Sequence, residues 1–190
     1  MSSGSWHIQI ILTECSIVII LNTSLIFIIL LRKQLRTRIS NMFLVNLFMA
    51  HILESMVGIA RSTVLFTHVK VPAKVNLSVN LFTMATILSY LSNMPVTLDR
   101  YMAILHPFRY QNISCKHVIA INVLVWLAAI VFGSLAIFLE MSSKFGDAIT
   151  FVMTVVMCVV LVVANLRIYR VVRQQATRLK KIQVRIKFIF

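Results

Sequence analysis

The sequence predicts an all-α integral membrane protein with about five spanning helices. Three observations predict it. The 190-residue chain is 59% hydrophobic and only 13% charged, with a mean hydropathy of +0.92, whereas a soluble domain is nearer half apolar and a quarter charged. The apolar residues gather into runs of about twenty, the length that crosses ~30 Å of hydrocarbon as a helix. The basic residues flank those runs instead of decorating one soluble face. Helices are the expected spans because each satisfies its own backbone groups away from water. The alternating pattern of a membrane barrel is absent.

The first run covers residues 8–31 and follows a seven-residue leader without Lys or Arg. It is longer than the apolar core of a signal peptide and reads as a span. Arg32, Lys33, Arg36 and Arg38 come directly after it, which places the N-terminus outside and the first loop in the cytosol. The second run is 41–63. The third, 75–105, is long enough to tilt or to project past the bilayer. It contains Pro95, which removes a helix hydrogen bond and predicts a kink just before Asp99. The fourth run is 118–139, and the fifth, 148–172, continues into a basic tail, 173–190. Connections are short, and no linker, repeat or low-complexity tract divides the chain, so residues 1–190 read as one domain.

The remaining charges agree with this topology. With the N-terminus outside, the inner ends hold Arg32 to Arg38, then Arg100, Arg109 and Lys116, then the eight basic residues from Arg167 onward, which is fifteen of nineteen. The net charge of +14 is therefore mainly a topology signal, and nucleic acid is not an expected partner. Arg167, Arg170 and Arg173 recur every three residues. Arginines snorkelling to acidic membrane lipids explain that set.

Cys15 and Cys158 fall inside apolar runs and read as small packing residues. Cys115 falls in an inner loop, where palmitoylation is the functional alternative. Of three Asn-x-Ser matches, at Asn22, Asn76 and Asn112, topology leaves only Asn76 facing the glycosylation machinery. His51 and Glu54 are three apart and share one helix face inside the second run. Ionisable residues within a span are functional candidates by default. This pair is either a proton sensor or a mutually satisfied polar pair, and two ligands make a poor metal site. No metal, cofactor or enzymatic activity is expected.

The stretch "VTLDRYMAILHPFRY" closes the third run with an acid and a base side by side, Asp99 and Arg100. By itself this is compatible with an ordinary interfacial ion pair. Four other features accompany it. Asn22 lies in the first span. "NMFLVNLFMAH" opens the second with Asn41, Leu44 and Leu47. Trp126 stands in the fourth, and "LRIYRVVRQ" ends the fifth. Together with Asp-Arg-Tyr and the following Pro-x-Arg-Tyr, these motifs resemble the rhodopsin-like (class A) G-protein-coupled receptors over their first five helices.

The resemblance implies a plasma-membrane, multi-pass receptor that passes an extracellular ligand signal to a heterotrimeric G protein. An arginine at the inner mouth of a bundle is costly to bury unless paired. Asp99 is expected to hold the Arg100 guanidinium sideways at rest and to release it toward the carbonyls of an inserted partner helix. Tyr101 offers a hydroxyl on an apolar body, Pro107 stops the helix, and Phe108 presents a ring to the partner. The basic tail gains a G-protein contact on this reading. Asn22, Leu47, Ser89 and Trp126 match family bundle positions. Phe82 and Thr86, four apart on the third span, match positions that touch ligand. The alternative for Phe82 is simple packing. Phe82 stands where amine receptors carry an Asp, which speaks against a biogenic amine at that position.

Departures from the family pattern are equally specific. His51 replaces the Asp that helps bind a sodium ion. Val75 replaces the outer cysteine of the third span, and the outer loop "EMSSKFGD" has none. Met157 stands for a usual proline and Asn165 for a usual tyrosine. A short cysteine-free outer loop and the missing proline resemble the melanocortin, cannabinoid and lysolipid branch. After the fifth span the chain ends in "FIF" at Phe190, so the expected object is a partial seven-helix receptor bundle. A non-signalling five-span relative that pairs with full-length receptors and modulates them is the alternative function.

Overall fold

The computed structural model describes residues 4–66, 77–138 and 143–187. Val75, Asn76, the opening Glu-Met-Ser of the "EMSSKFGD" stretch and the terminal Phe-Ile-Phe lie outside the described residues, and the rest of that stretch begins α7. Seven helices and no strands form among the described residues: α1 (Gly4–Leu31), α2 (Lys33–Arg36), α3 (Ile39–Phe66), α4 (Leu77–Leu105), α5 (Pro107–Tyr110), α6 (Cys115–Phe138) and α7 (Ser143–Lys187). Five are long and apolar enough to cross a membrane, with spans at Ile8–Leu31, Ile39–Val64, Asn80–Leu105, Cys115–Leu135 and Thr154–Gln174. The chain is a multi-pass membrane protein. At 1.5 Å per residue, the 45 residues of α7 reach roughly 67 Å, well beyond ~30 Å of hydrocarbon.

Successive long helices alternate in direction, and α4 is the hub. It packs against α3, α6 and α7, while α1 packs on α3. Small residues let the backbones approach, since lipid supplies no hydrophobic drive between helices. Ala50 of α3, Leu88 of α4 and Ala129 of α6 meet in one buried cluster, with Trp126 packed against it. Large apolar side chains such as Ile20, Leu124, Val131 and Phe151 face outward, as a hydrocarbon environment permits. α4 continues as one helix through the buried Pro95. Cys15, Cys115 and Cys158 are free thiols.

Polar side chains cross-link the apolar spans. Trp126 Nε1 donates to Asn46 Oδ1 at 2.7 Å, and Asn46 Nδ2 donates to Ser92 Oγ at 3.3 Å. One amide thus connects α6, α3 and α4. The hydroxyls of Tyr90 and Thr154 join α4 to α7. The two four-residue helices, α2 and α5, turn the chain between spans at the end where α4 finishes. Pro107 occupies the first turn of α5, where its fixed φ is preorganised and its missing N–H is no loss.

Gly133 marks the closest approach of α6 to α4. A Cβ at this position would fall on the Met84 side chain. Gly133→Leu is expected to cost about 1–3 kcal/mol through overpacking and to lower the melting temperature in detergent. Adding Met84→Ala is expected to recover much of that loss. A Gly133→Leu chain that melts like the parent contradicts the close α4–α6 packing.

Candidate functional site

Two polar regions stand at opposite ends of the bundle. At the end where α4 finishes, Asp99 is 8% exposed and acts as an acceptor for two elements. Ser40 Oγ, at the start of α3, donates to Asp99 Oδ2 at 2.5 Å. Tyr110 Oη, at the end of α5, donates to Asp99 Oδ1 at 2.8 Å. The carboxylate therefore clasps the loop after α1 and the loop after α4 to one point. Burial, and then the adjacent Asp99 carboxylate, push the Tyr110 phenol above its ordinary value.

This arrangement differs from the expected Asp99–Arg100 pair. Among the described residues the one ion pair within 4.0 Å is His51 with Glu54. Arg100 is exposed. The reason is helical geometry: neighbours in sequence point about a quarter-turn apart and do not face each other. Asp99 turns into the bundle and Arg100 turns out. Tyr101 is half-buried, while Pro107 is exposed and the Phe108 ring is 84% exposed. Arg100, Arg109 and Phe108 all stand exposed at this end.

In the middle of the bundle the candidate positions separate. Leu47 is buried at 8% exposure and packs. Trp126 makes the amide bond described above. Asn22 donates from Nδ2 to Val18 O at 2.7 Å within its own helix. Ser89 is buried at 1% exposure.

The other polar region opens between α1, α3 and α4. A cavity of about 590 Å³ is bordered there by Glu14, Cys15, His51, Glu54, Arg61 and Phe82. His51 Nδ1 lies 3.8 Å from Glu54 Oε2, an ion-pair distance longer than a hydrogen bond. The Arg61 guanidinium sits over the Phe82 ring, 5.1 Å from its centroid. Gly58 brings α1 close, since a Cβ there would come within 3.2 Å of Cys15 Sγ. Of the two expected ligand positions, Phe82 borders the cavity and Thr86 does not; Thr86 is buried at 3% exposure.

Sequence reasoning passed over Ser40, Asn46 and the role of Tyr110. The available signal was modest. Asn46 is a lone amide within an apolar run, and such a group needs a partner inside the membrane.

Tyr110→Phe is expected to cost about 1.5–3 kcal/mol, the scale of a hydrogen bond to a charged acceptor. Ser40→Ala acts on the same carboxylate, so the two losses are expected to be non-additive in a double-mutant cycle. The neutral phenol is the donor. Its contribution is fully present below the ordinary phenol range and is lost as pH rises through the raised value. Thermal melts across alkaline pH, comparing parent and Tyr110→Phe, measure that loss.

The family profile described as 7 transmembrane receptor (rhodopsin family) matches residues 21–148. No individual curated protein matches the chain. The match runs from the first span past the Asp99 clasp and Trp126, and covers more than half of the sequence. The chain therefore belongs to the rhodopsin family of seven-transmembrane receptors.

Proposed function

We propose that the chain transduces an extracellular ligand signal to a heterotrimeric G protein at the plasma membrane. The Asp99 end faces the cytosol in this reading. It carries the exposed Arg100 and Arg109 and the arginines Arg167, Arg170 and Arg173 of α7, in keeping with the excess of basic residues on the cytoplasmic side. The observation that carries the proposal is the exposure of Arg100 and Phe108 beside the Asp99 clasp. A planar guanidinium with five donors suits the carbonyls at the end of a partner helix. An exposed aromatic ring beside it supplies an anchor of the kind that dominates protein interfaces. The clasp holds the loop that presents Phe108, which lowers the ordering cost of docking. Acidic lipids around the α7 arginines contribute a second, less specific attraction.

A second reading is a five-span protein that pairs with other receptors and modulates them without signalling. The broad apolar faces of α1 and α7 favour it, since only 6% of each span window is buried. The two readings differ in one measurement. Guanine-nucleotide exchange on a purified G protein is expected to be stimulated by the chain in nanodiscs. Arg100→Ala and Phe108→Ala are each expected to reduce it by roughly tenfold, about 1.4 kcal/mol per lost contact. Unchanged exchange in both variants contradicts the assigned docking surface. No exchange, with retention of a co-expressed receptor on the chain, supports the second reading.

A further inference from the structure

The last span carries an amide in the wrong surroundings. Asn165 lies near the middle of the Thr154–Gln174 span of α7, deep in the hydrocarbon, and it is exposed. The amides well inside the other spans, Asn22, Asn46, Asn93 and Asn122, are partly buried. Asn165 Nδ2 donates to Leu161 O at 2.9 Å, one turn back on its own helix. Among the described residues that is the one hydrogen bond of this side chain. A primary amide has a second donor hydrogen and an acceptor oxygen. Both face hydrocarbon here, where an unmade hydrogen bond is costly.

The neighbours of Asn165 on α7 form a pattern of their own. The covered side of the helix carries Thr154, which is bonded to Tyr90, the buried Met157, and the partly buried Leu161, Ala164 and Ile168. Beside it runs a second row, Val155, Cys158, Val162, Asn165, Tyr169 and Val172, and every member is exposed. Its spacing alternates between three and four residues, the repeat of a helix that pairs with another along its length. Cys158 stands one heptad before Asn165 and Val172 one heptad after it. A single amide in such a seam fixes register and the number of helices. The undescribed segments cannot cover it. Ser143 and Lys187, the ends of α7, are each 22 residues from Asn165, about 33 Å along the axis. Segment 67–76 precedes Leu77, which lies more than three turns above Tyr90 on α4, and Tyr90 meets α7 three turns above Asn165.

We infer that this seam pairs with the same seam of a second copy of the chain, α7 against α7, with the two Asn165 amides hydrogen-bonded to each other. Self-complementarity selects the second copy. An amide both donates and accepts, so two amides related by a twofold axis satisfy one another. Copies inserted with the same topology run parallel, and only a parallel pair aligns Asn165 with its counterpart at mid-depth. The β-branched Val155 and Val162 alternate with Cys158 and Asn165, a choice that favours two strands. No member of the seam is charged, so nothing repels the second copy. Helices associate in lipid through packing and interhelical hydrogen bonds, and this row supplies both. The surface is separate from the Asp99 end, and the inference does not depend on coupling to a G protein.

Cys158 is an exposed free thiol within the seam, and it makes the pairing measurable. The full chain carrying Cys15→Ala and Cys115→Ala is reconstituted in phosphatidylcholine vesicles and oxidised with copper–phenanthroline. A disulfide-linked dimer through Cys158 is expected. The control moves the thiol to the other flank of α7, with Cys158→Ala and Val163→Cys, where little dimer is expected. Energy transfer between two fluorescently labelled pools of the otherwise unaltered chain, followed on dilution with lipid, gives the dissociation constant without any cysteine substitution. Asn165→Val is expected to raise that constant by roughly three- to tenfold, the weight of one interhelical hydrogen bond. Equal crosslinking from positions 158 and 163 reports random collision and overturns the inference. So does a dissociation constant untouched by Asn165→Val. A chain that stays monomeric at every dilution, yet crosslinks from Cys158 to a co-expressed receptor, assigns the seam to that partner and overturns self-pairing.

Discussion

The amide of Asn46 is the constraint on which the rest of this bundle depends. Inside hydrocarbon no water competes for a polar group, so a donor and an acceptor that find each other fix helix rotation and depth together. Asn46 accepts from Trp126 and donates to Ser92. The rotational positions of α3, α4 and α6 are thereby set relative to one another. Ala50, Leu88 and Ala129 then close the same junction by packing. With α4 so oriented, Asp99 points inward near Ser40. Both polar ends inherit their geometry from this central layer.

The two ends use their acids differently. Asp99 is saturated: both oxygens receive a hydroxyl, and the residue organises loops. Glu54 instead faces a neighbour on its own helix, with His51 Nδ1 at 3.8 Å. A satisfied buried carboxylate stabilises local structure. Arg100, turned from its sequence neighbour by helical geometry, stands exposed.

Much of this was legible in the sequence. Five apolar runs of spanning length needed no tertiary information, because length and hydropathy alone define a helix in lipid. The motif around Asp99, the Pro107 turn and Trp126 identified the family. The partners of those residues were not legible. Ser40 is 59 residues from Asp99, and Asn46 is 80 residues from Trp126, and no local pattern encodes such pairs. The Asp99–Arg100 pair was expected from adjacency, which is a poor guide on a helix. The four-residue helices α2 and α5 are too short to announce themselves. At the cavity, the three-residue spacing of His51 and Glu54 was readable. The convergence of Glu14 and Arg61 on it required the fold.

In the proposed coupling, the Asp99 end presents Phe108 and Arg100 to a cytosolic partner. A photo-crosslinking side chain placed at position 108 tests it most directly, in cells that express the chain together with a heterotrimeric G protein. Crosslinks to a G-protein subunit that diminish with Arg100→Ala are the predicted result. Crosslinks confined to lipid, or to another copy of this chain, would contradict it.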